Sequence, residues 1–352
     1  MPSQIIRSYS GRVLVLTITV AAVYAIVCFN GSKSDLDGKL GDIQTSIRKL
    51  SLDIKGAVNE VHLPVEVRAE PLPQSQPFKK MPSWHGIAYK RTNGSWVADD
   101  SMCTEDEVYD EATLKTPAGN TRIFIHAIKD DIVVSNTLKK VGVWEPDVMY
   151  TSFEILKENK EHVFIDVGGN IGTFSLAAAK LGNRVISVEP YDVNTKRLCR
   201  GVVKGGFAGQ MFVIHNAMSD VRQPIAFKIY KGSIAHTRIE KKTNLNQSSD
   251  AITTIQMNDL LEMFDIKSAV LKLDCEDHEV QVMKGAEAFF NVVDVRMVII
   301  EWDKLFQNPE APYIIEMMKR FKLKPYTIGK DAKPFNKSDY TLSRRNIVFK
   351  KE

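Results

Sequence analysis

Ten residues, Val163 to Gly172 (VFIDVGGNIG), constrain this chain more than any others. The apolar run Val163-Phe164-Ile165 predicts a short buried strand. It stops at Asp166 and turns through Gly168, Gly169, Asn170 and Gly172 into the helical pattern FSLAAAKL. A second apolar run, Arg184 to Val188, ends at Glu189, 23 residues after Asp166. Strand, glycine turn, helix, strand and acid together describe the nucleoside-binding half of a doubly wound sheet. Glycines there would let the backbone approach a ligand, and the second acid can accept hydrogen bonds from ribose hydroxyls.

The loop favours S-adenosylmethionine over a dinucleotide. A pyrophosphate binder wants G-x-G-x-x-G, with the third glycine packing helix on strand. Here the pattern is Asp166-x-Gly168-x-Asn170-x-Gly172. Asn170 tolerates a left-handed turn position that most residues avoid. The carboxylate of Asp166, just before the turn, suits a cationic amino-acid tail better than a diphosphate.

Further segments follow in order: Glu189-Pro190, then His215-Asn216-Ala217-Met218-Ser219-Asp220, then Leu271-Lys272-Leu273-Asp274-Cys275-Glu276, then Lys284-Gly285-Ala286. With the glycine loop, this series resembles the FkbM-type S-adenosylmethionine-dependent methyltransferases over roughly Ile123 to Glu301. The chain departs from the family pattern at Gly169, where alanine is usual. It departs again at Asp277-His278-Glu279, where Gly-Ala-Glu is usual. The resemblance implies a Rossmann-like class I methyltransferase fold. It implies that Gly168, Gly169, Asn170 and Gly172 form the cofactor loop and that Asp166 lies near the amino-acid tail. Glu189 would then hold the ribose, with Ser219 and Asp220 bordering the adenine.

The rest of the catalytic region alternates strands with helices, which implies an α/β fold with a mostly parallel sheet covered on both faces. The pattern predicts a strand pair over Arg122–Ile128 and Ile132–Val134, then helical stretches through Lys157. Strands follow at 163–167, 184–189 and 211–215, with helices at 172–181 and 192–203. An added strand is expected over Phe227–Tyr230, a helix over Ile255–Phe264 and a strand over Ala269–Asp274. One helix over 278–290 and a strand over 296–301 complete the series. Ligands in such sheets sit at the carboxyl ends of the strands. Asp166, Glu189, Asp220, Asp274 and Glu301 all fall at or just past strand ends, and jointly outline one cleft.

An alcohol is a poor nucleophile at neutral pH, so methyl transfer to one is helped by a base or a metal. Asp274 and His278 are the candidate catalytic residues. The histidine has an unperturbed pKa near ~6.5 and falls at the start of a helix. The bland alternatives are a capping carboxylate for Asp274 and a solvated helix-start residue for His278. The cluster Asp274, Glu276, Asp277 and Glu279 could hold magnesium, or simply favour a helix N-terminus through its dipole. No metal ligands are assigned. Lys272 could orient a carboxylate or hydroxyl, or snorkel at the sheet end. Trp302 could stack on a sugar ring or pack in the core.

Before this domain, Val13 to Phe29 runs 17 residues without a charge, at the short limit for a membrane span. No small-x-small cleavage site follows, so a signal anchor is expected rather than a cleaved signal peptide. Arg7, Arg12 and the amino terminus flank one side of it, and Lys33 and Lys39, offset by Asp35 and Asp37, flank the other. Lys and Arg are level at two each, and the balance leans the short N-terminus, 1–12, to the cytosol. A heptad seam follows from Leu36 through Leu40, Ile43, Ile47, Leu50, Ile54 and Ala57 to Val61. It predicts a coiled-coil stem over 34–62 and through it a homodimer, with an amphipathic helix packed on its own domain as the alternative. Pro64, Pro71, Pro73, Pro77 and Pro82 mark a linker over 63–83. The methyltransferase domain is then expected over 84–352, with its core at 120–350. Asn93-Gly94-Ser95, Asn246-Gln247-Ser248 and Asn336-Lys337-Ser338 are candidate glycosylation tripeptides.

This layout resembles a single-pass type II Golgi enzyme. The expected function is O-methylation of a glycan or other small-molecule hydroxyl, for example on fucose, mannose or a uronic acid. The alternatives are a cytosol-facing methyltransferase of a lipid or small molecule, and a degenerate membrane-tethered interaction module. A net charge of +4 with no basic stripe gives no nucleic-acid signature. With four cysteines and no C-x-x-C, zinc is not expected. Setting Cys28 aside leaves room for one disulfide, with Cys103 a candidate member.

Overall fold

All five residues of Val163–Val167 are buried, and they alternate between two cores. Val163, Ile165 and Val167 join Ile186, Leu271 and Ile300 on one face of the sheet. Phe164 joins Val185, Val213, Val270 and Ile299 on the other. A strand apolar on both sides suits only the middle of a parallel sheet with both faces covered. The computed structural model describes residues 87–104, 107–228, 238–240, 252–335 and 346–351. These fall within one unit, Pro71–Glu352. The expected tail, membrane span, stem and linker, and the tripeptides at Asn246 and Asn336, lie outside the described residues. Among the described residues no helix is long and apolar enough to cross a membrane.

The chain opens with β1 (Ala88–Thr92) and β2 (Ser95–Ala98), then a 3-10 turn (Asp100–Cys103). A hairpin, β3 (Asp110–Thr116) and β4 (Gly119–Ile125), precedes α1 (Val134–Val141) and α2 (Pro146–Glu158). The next half runs β5 (Val163–Val167), α3 (Thr173–Leu181), β6 (Val185–Val188), α4 (Asp192–Gly205) and β7 (Met211–Ile214). Short strands β8 (Ala217–Met218), β9 (Pro224–Lys228), β10 (Arg238–Glu240) and β11 (Ile252–Ile255) follow, then α5 (Leu260–Met263) and β12 (Ser268–Leu273). Last come α6 (Glu279–Lys284), α7 (Glu287–Val292), β13 (Asp294–Ile300), α8 (Ala311–Arg320), β14 (Lys324–Tyr326) and β15 (Ile347–Lys350).

Nine strands form the main sheet in the order β14-β15-β13-β12-β5-β6-β7-β1-β2. The six from β13 to β1 are parallel to their neighbours, with antiparallel strands at both edges. From β5 the chain winds one way through β6 and β7, whereas β12 and β13 lie on its other side. The switch point is therefore between β5 and β12, whose carboxyl ends are Val167 and Leu273.

Three local expectations are corrected. Ile132–Val134 forms no strand, and β4 pairs instead with β3. The cause is Asp131, whose carboxylate accepts the N–H groups of Val133, Val134 and Ser135 at 3.2, 3.2 and 2.8 Å and starts α1. The helix expected over 278–290 is two helices, α6 and α7, divided at Gly285-Ala286. A Cβ on Gly285 would sit 2.2 Å from the Ser219 carbonyl oxygen, so this turn of chain is pressed against the loop after β8. Ile255 ends strand β11 rather than starting a helix. The Gln256–Asp259 capping box begins the 3-10 turn that follows.

Candidate active site

A cleft of roughly 230 Å³ opens at the switch point. Its lining includes Gly168, Gly169 and Asn170 after β5, Glu189 after β6, Met218 at the end of β8, and Asp274 and Glu276 after β12. Trp144, Glu145, Phe174, Lys272 and Glu301 line it too. Five of the expected site residues thus meet in one cleft: Gly168, Gly169, Asn170, Glu189 and Asp274.

The other five do not line it. Asp166 is fully buried and accepts the Ser175 hydroxyl at 2.6 Å. Gly172 lies beneath the loop, φ 95°, where a Cβ would meet Leu198 at 2.3 Å. Ser219 bonds Asp220 at 3.0 Å and His278 Nε2 at 2.9 Å. That contact engages the imidazole outside the cleft, so the geometry gives no support to His278 as the base. Trp302 is buried in the core against Phe349 and has no face for a sugar.

The glycines answer to the protein's own packing more than to a ligand. A Cβ on Gly168 (φ 82°) would stand 1.8 Å from the Asp274 carbonyl oxygen, and one on Gly169 would stand 2.0 Å from Ser187 Oγ. The loop's N–H groups are also all engaged. Gly168 and Gly169 donate to Val188 O, Asn170 donates to Glu189, Ile171 donates to the Asn170 side chain and Gly172 donates to Gly169 O. A diphosphate site needs such groups free.

Glu189 is buried and held on both oxygens. Oε2 accepts Asn170 N–H at 2.8 Å, and Oε1 accepts Tyr191 N–H at 3.0 Å and the Asn194 amide at 3.2 Å. Burial pushes its pKa up to about 6 against these bonds. Oε2 keeps acceptor capacity for a ligand hydroxyl.

Lys272 does not snorkel. It is buried, with Nζ 3.0 Å from Asp274 Oδ2, 3.8 Å from Asp166 Oδ1 and 4.6 Å from the Phe174 ring centre. Burial alone would lower its pKa, but Asp274, Asp166 and Glu145 raise it and keep the ammonium charged. Burial, then the charges of Asp274, Glu276 and Glu279, push Glu301 to about 9, so it holds a proton and hydrogen-bonds Asp274. Asp274, Glu276 and Glu301 each bring an oxygen within 4.8 Å of the others. The acidic group expected from sequence therefore forms with different members. Glu279 turns inward to accept Cys275 N–H at 2.7 Å, and burial raises its pKa to about 7.

Behind Glu189 lies a triad that sequence reasoning missed. His215 Nδ1 is 2.6 Å from Asp99 and Nε2 is 2.9 Å from Asp192, the first residue of α4. Burial alone would lower the imidazole pKa, but the two carboxylates push it up to about 9, and Asp99 is held down to about 2. The imidazolium's stabilisation is complete below the unfolded pKa of about 6.5 and is lost as pH rises through 9. Discounting the exposed Asp192, it is worth about 2 kcal/mol. The urea midpoint should therefore fall between pH 6.5 and 9 in the wild type and stay flatter in His215→Gln. Equal slopes would show that the triad is uncharged.

Residues 166–326 match the model of the methyltransferase FkbM domain. No curated protein matches the chain. Solved structures similar to it include the SAM-dependent methyltransferase from Agrobacterium tumefaciens, at 10% identity, covering 74% of each chain, TM-score 0.37. Another is a SAM-dependent O-methyltransferase from Thermotoga maritima, at 12% identity, covering 75% of this chain and 84% of that one, TM-score 0.33. A third is precorrin-6y C5,15-methyltransferase from Geobacter metallireducens, at 10% identity, covering 59% and 91%, TM-score 0.36.

Proposed function

We propose that this chain, whose residues 166–326 form an S-adenosylmethionine-dependent methyltransferase domain of FkbM type, methylates a hydroxyl of a glycan or sugar in the Golgi lumen, held there by an N-terminal type II anchor. The observation that carries the reading is the cleft. It joins a buried ribose-type acceptor, Glu189, to the acidic end of β12 at the sheet's switch point. The residues fit the cofactor. Gly168, Gly169, Asn170 and Glu189 would hold it, and the surplus of carboxylates suits a cationic sulfonium. When bound it supplies an electrophilic methyl group and its own leaving group. The chain's part is to place the acceptor oxygen in line and to take its proton. Asp274, fixed between Lys272 and Glu301, is suited to orienting that hydroxyl.

Two observations support the lumenal side. Cys103 and Cys199 form a disulfide, a bond that persists in oxidising compartments. Asn93, the first residue of a candidate glycosylation tripeptide, is exposed at the β1–β2 turn. A glycan found on Asn93 by mass spectrometry would decide between lumen and cytosol. The cofactor test is calorimetric titration of the full-length chain in detergent. S-adenosylmethionine should bind at micromolar concentration and NAD should not. Glu189→Gln keeps the shape but loses a charged acceptor, so Kd should rise ~10–100-fold. No binding by the wild type would favour the degenerate interaction module.

A further inference from the structure

Trp144 and Glu145 line the same cleft as the glycine loop, and no sequence argument singled them out. Glu145 is half-buried, and its backbone is left-handed at φ 39° and ψ 63°, directly before Pro146. Side chains with a Cβ rarely adopt that conformation, and such residues cluster at functional sites. Its carbonyl accepts the N–H groups of Val148 and Met149 at 3.1 and 3.2 Å, which starts α2. Its carboxyl has no hydrogen-bond or ion-pair partner among the described residues. The other cleft carboxyls are engaged: Glu189 three times, Asp274 by Lys272, Glu301 by Asp274, and Glu276 by Lys304 at 3.3 Å. Burial raises the proton affinity of Glu145, partly offset by Lys272.

We propose that the Glu145 carboxylate receives the proton of the acceptor hydroxyl, and that the acceptor is an uncharged polyol rather than an anion. The inference rests on the methyl-transfer reading above. As the acceptor oxygen bonds to the methyl carbon, the carbon–sulfur bond breaks with its electron pair left on sulfur, and the hydroxyl proton passes to a Glu145 oxygen. Among the groups lining the cleft, Asp274 is already fixed by Lys272, and Glu301 keeps its own proton, so neither matches Glu145 as an open acceptor. The charge balance sets the acceptor class. Among the described residues, Glu145, Glu189 and Asp274 share the cleft with one lining ammonium, Lys272, which Asp166 and Asp274 already neutralise, while Glu276 is paired with Lys304. A hydroxyl-rich neutral ring offers donors to these carboxylates, and a carboxylate-bearing ring is repelled. Fucose and mannose hydroxyls fit that wall, and a uronic acid does not.

The test uses the full-length chain in detergent. Binding of methyl α-mannopyranoside and of glucuronate is read by saturation-transfer NMR with S-adenosylhomocysteine present. Methyl transfer to the mannoside is read in single turnovers. In the wild type the mannoside should bind at least ~10-fold more tightly than glucuronate, a gap Coulomb repulsion supplies readily. Glu145→Gln should leave S-adenosylmethionine affinity within about twofold and narrow the sugar preference. It should slow transfer by at least ~100-fold, the lower end for a lost general base. Glu145→Asp should recover part of the rate. Glu145→Gly relieves the left-handed strain, so its melting temperature should equal or exceed that of the wild type while transfer is lost. Transfer by Glu145→Gln within about threefold of wild type, unfolding of Glu145→Gly, or glucuronate binding as well as the mannoside would each overturn the proposal. Cofactor binding without binding of either sugar overturns the acceptor class. Absence of cofactor binding instead removes the methyl-transfer reading itself.

Discussion

Lys272→Met should lower the stability of this domain by about 3–5 kcal/mol at pH 8, the usual cost of removing one partner of a buried ion pair. Lys272 is 3% exposed and Asp166 is 0% exposed, so water cannot take over from the missing ammonium. Methionine fills the space beside Phe174, so the loss is electrostatic rather than a cavity. Burial already raises the pKa of Asp166 with the lysine in place, and Lys272 is the first influence working against it. Without the lysine it rises further. The cost is then full above the new folded pKa and shrinks as pH falls toward the unfolded value of about 3.9. Urea midpoints of wild type and variant should differ widely at pH 8 and converge near pH 4. Adding Asp166→Asn, which keeps a bond to Ser175, should restore much of the loss. A variant as stable as wild type at pH 8 would mean that Lys272 is not the group that neutralises Asp166.

What the sequence disclosed and what it concealed divide along a physical line. β5, β6 and α3 were legible because each burial pattern is local: Val163-Phe164-Ile165 needs two covered faces, and Gly182 at φ 99° ends its helix. The turn between β5 and α3 was legible as a turn, but its reason was not. The oxygens that demand Gly168 and Gly169 belong to Asp274 and Ser187, distant in sequence, and only the sheet brings them close. Glu301 was placed at a strand end, yet its high pKa arises from neighbours on other segments. The Asp99–His215–Asp192 triad spans 116 residues between Asp99 and His215 and has no local pattern. Glu145 left no trace either, because an acid before a proline at a helix start looks like an ordinary cap. For His278, the sequence places an ionisable group four residues after Asp274, but only the fold shows that its imidazole turns to Ser219.

Breaking the Cys103–Cys199 disulfide should cost about 4–5 kcal/mol, because it closes a loop of 96 residues and so restricts the unfolded chain strongly. For a domain of this size that corresponds to a melting temperature lower by roughly 10–15 °C. Calorimetry of the Cys103→Ser and Cys199→Ser chains should show the same drop in each, since either one removes the whole cross-link. Adding reductant to the wild type should reproduce it. The bond also has a local task. Cys103 ends the 3-10 turn that follows Asp99, and Cys199 lies in α4, which begins at Asp192. The disulfide and the His215 triad thus tie the same two segments together, one covalently and one by charge. Their losses should not add: in a chain carrying both Cys103→Ser and His215→Gln, the summed single losses should exceed the measured one by more than about 0.5 kcal/mol. Strict additivity would show that the two links act on separate parts of the fold. Asn194 and Tyr191, which hold Glu189, sit at the same end of α4, so cofactor affinity should weaken along with stability when the cross-link is lost.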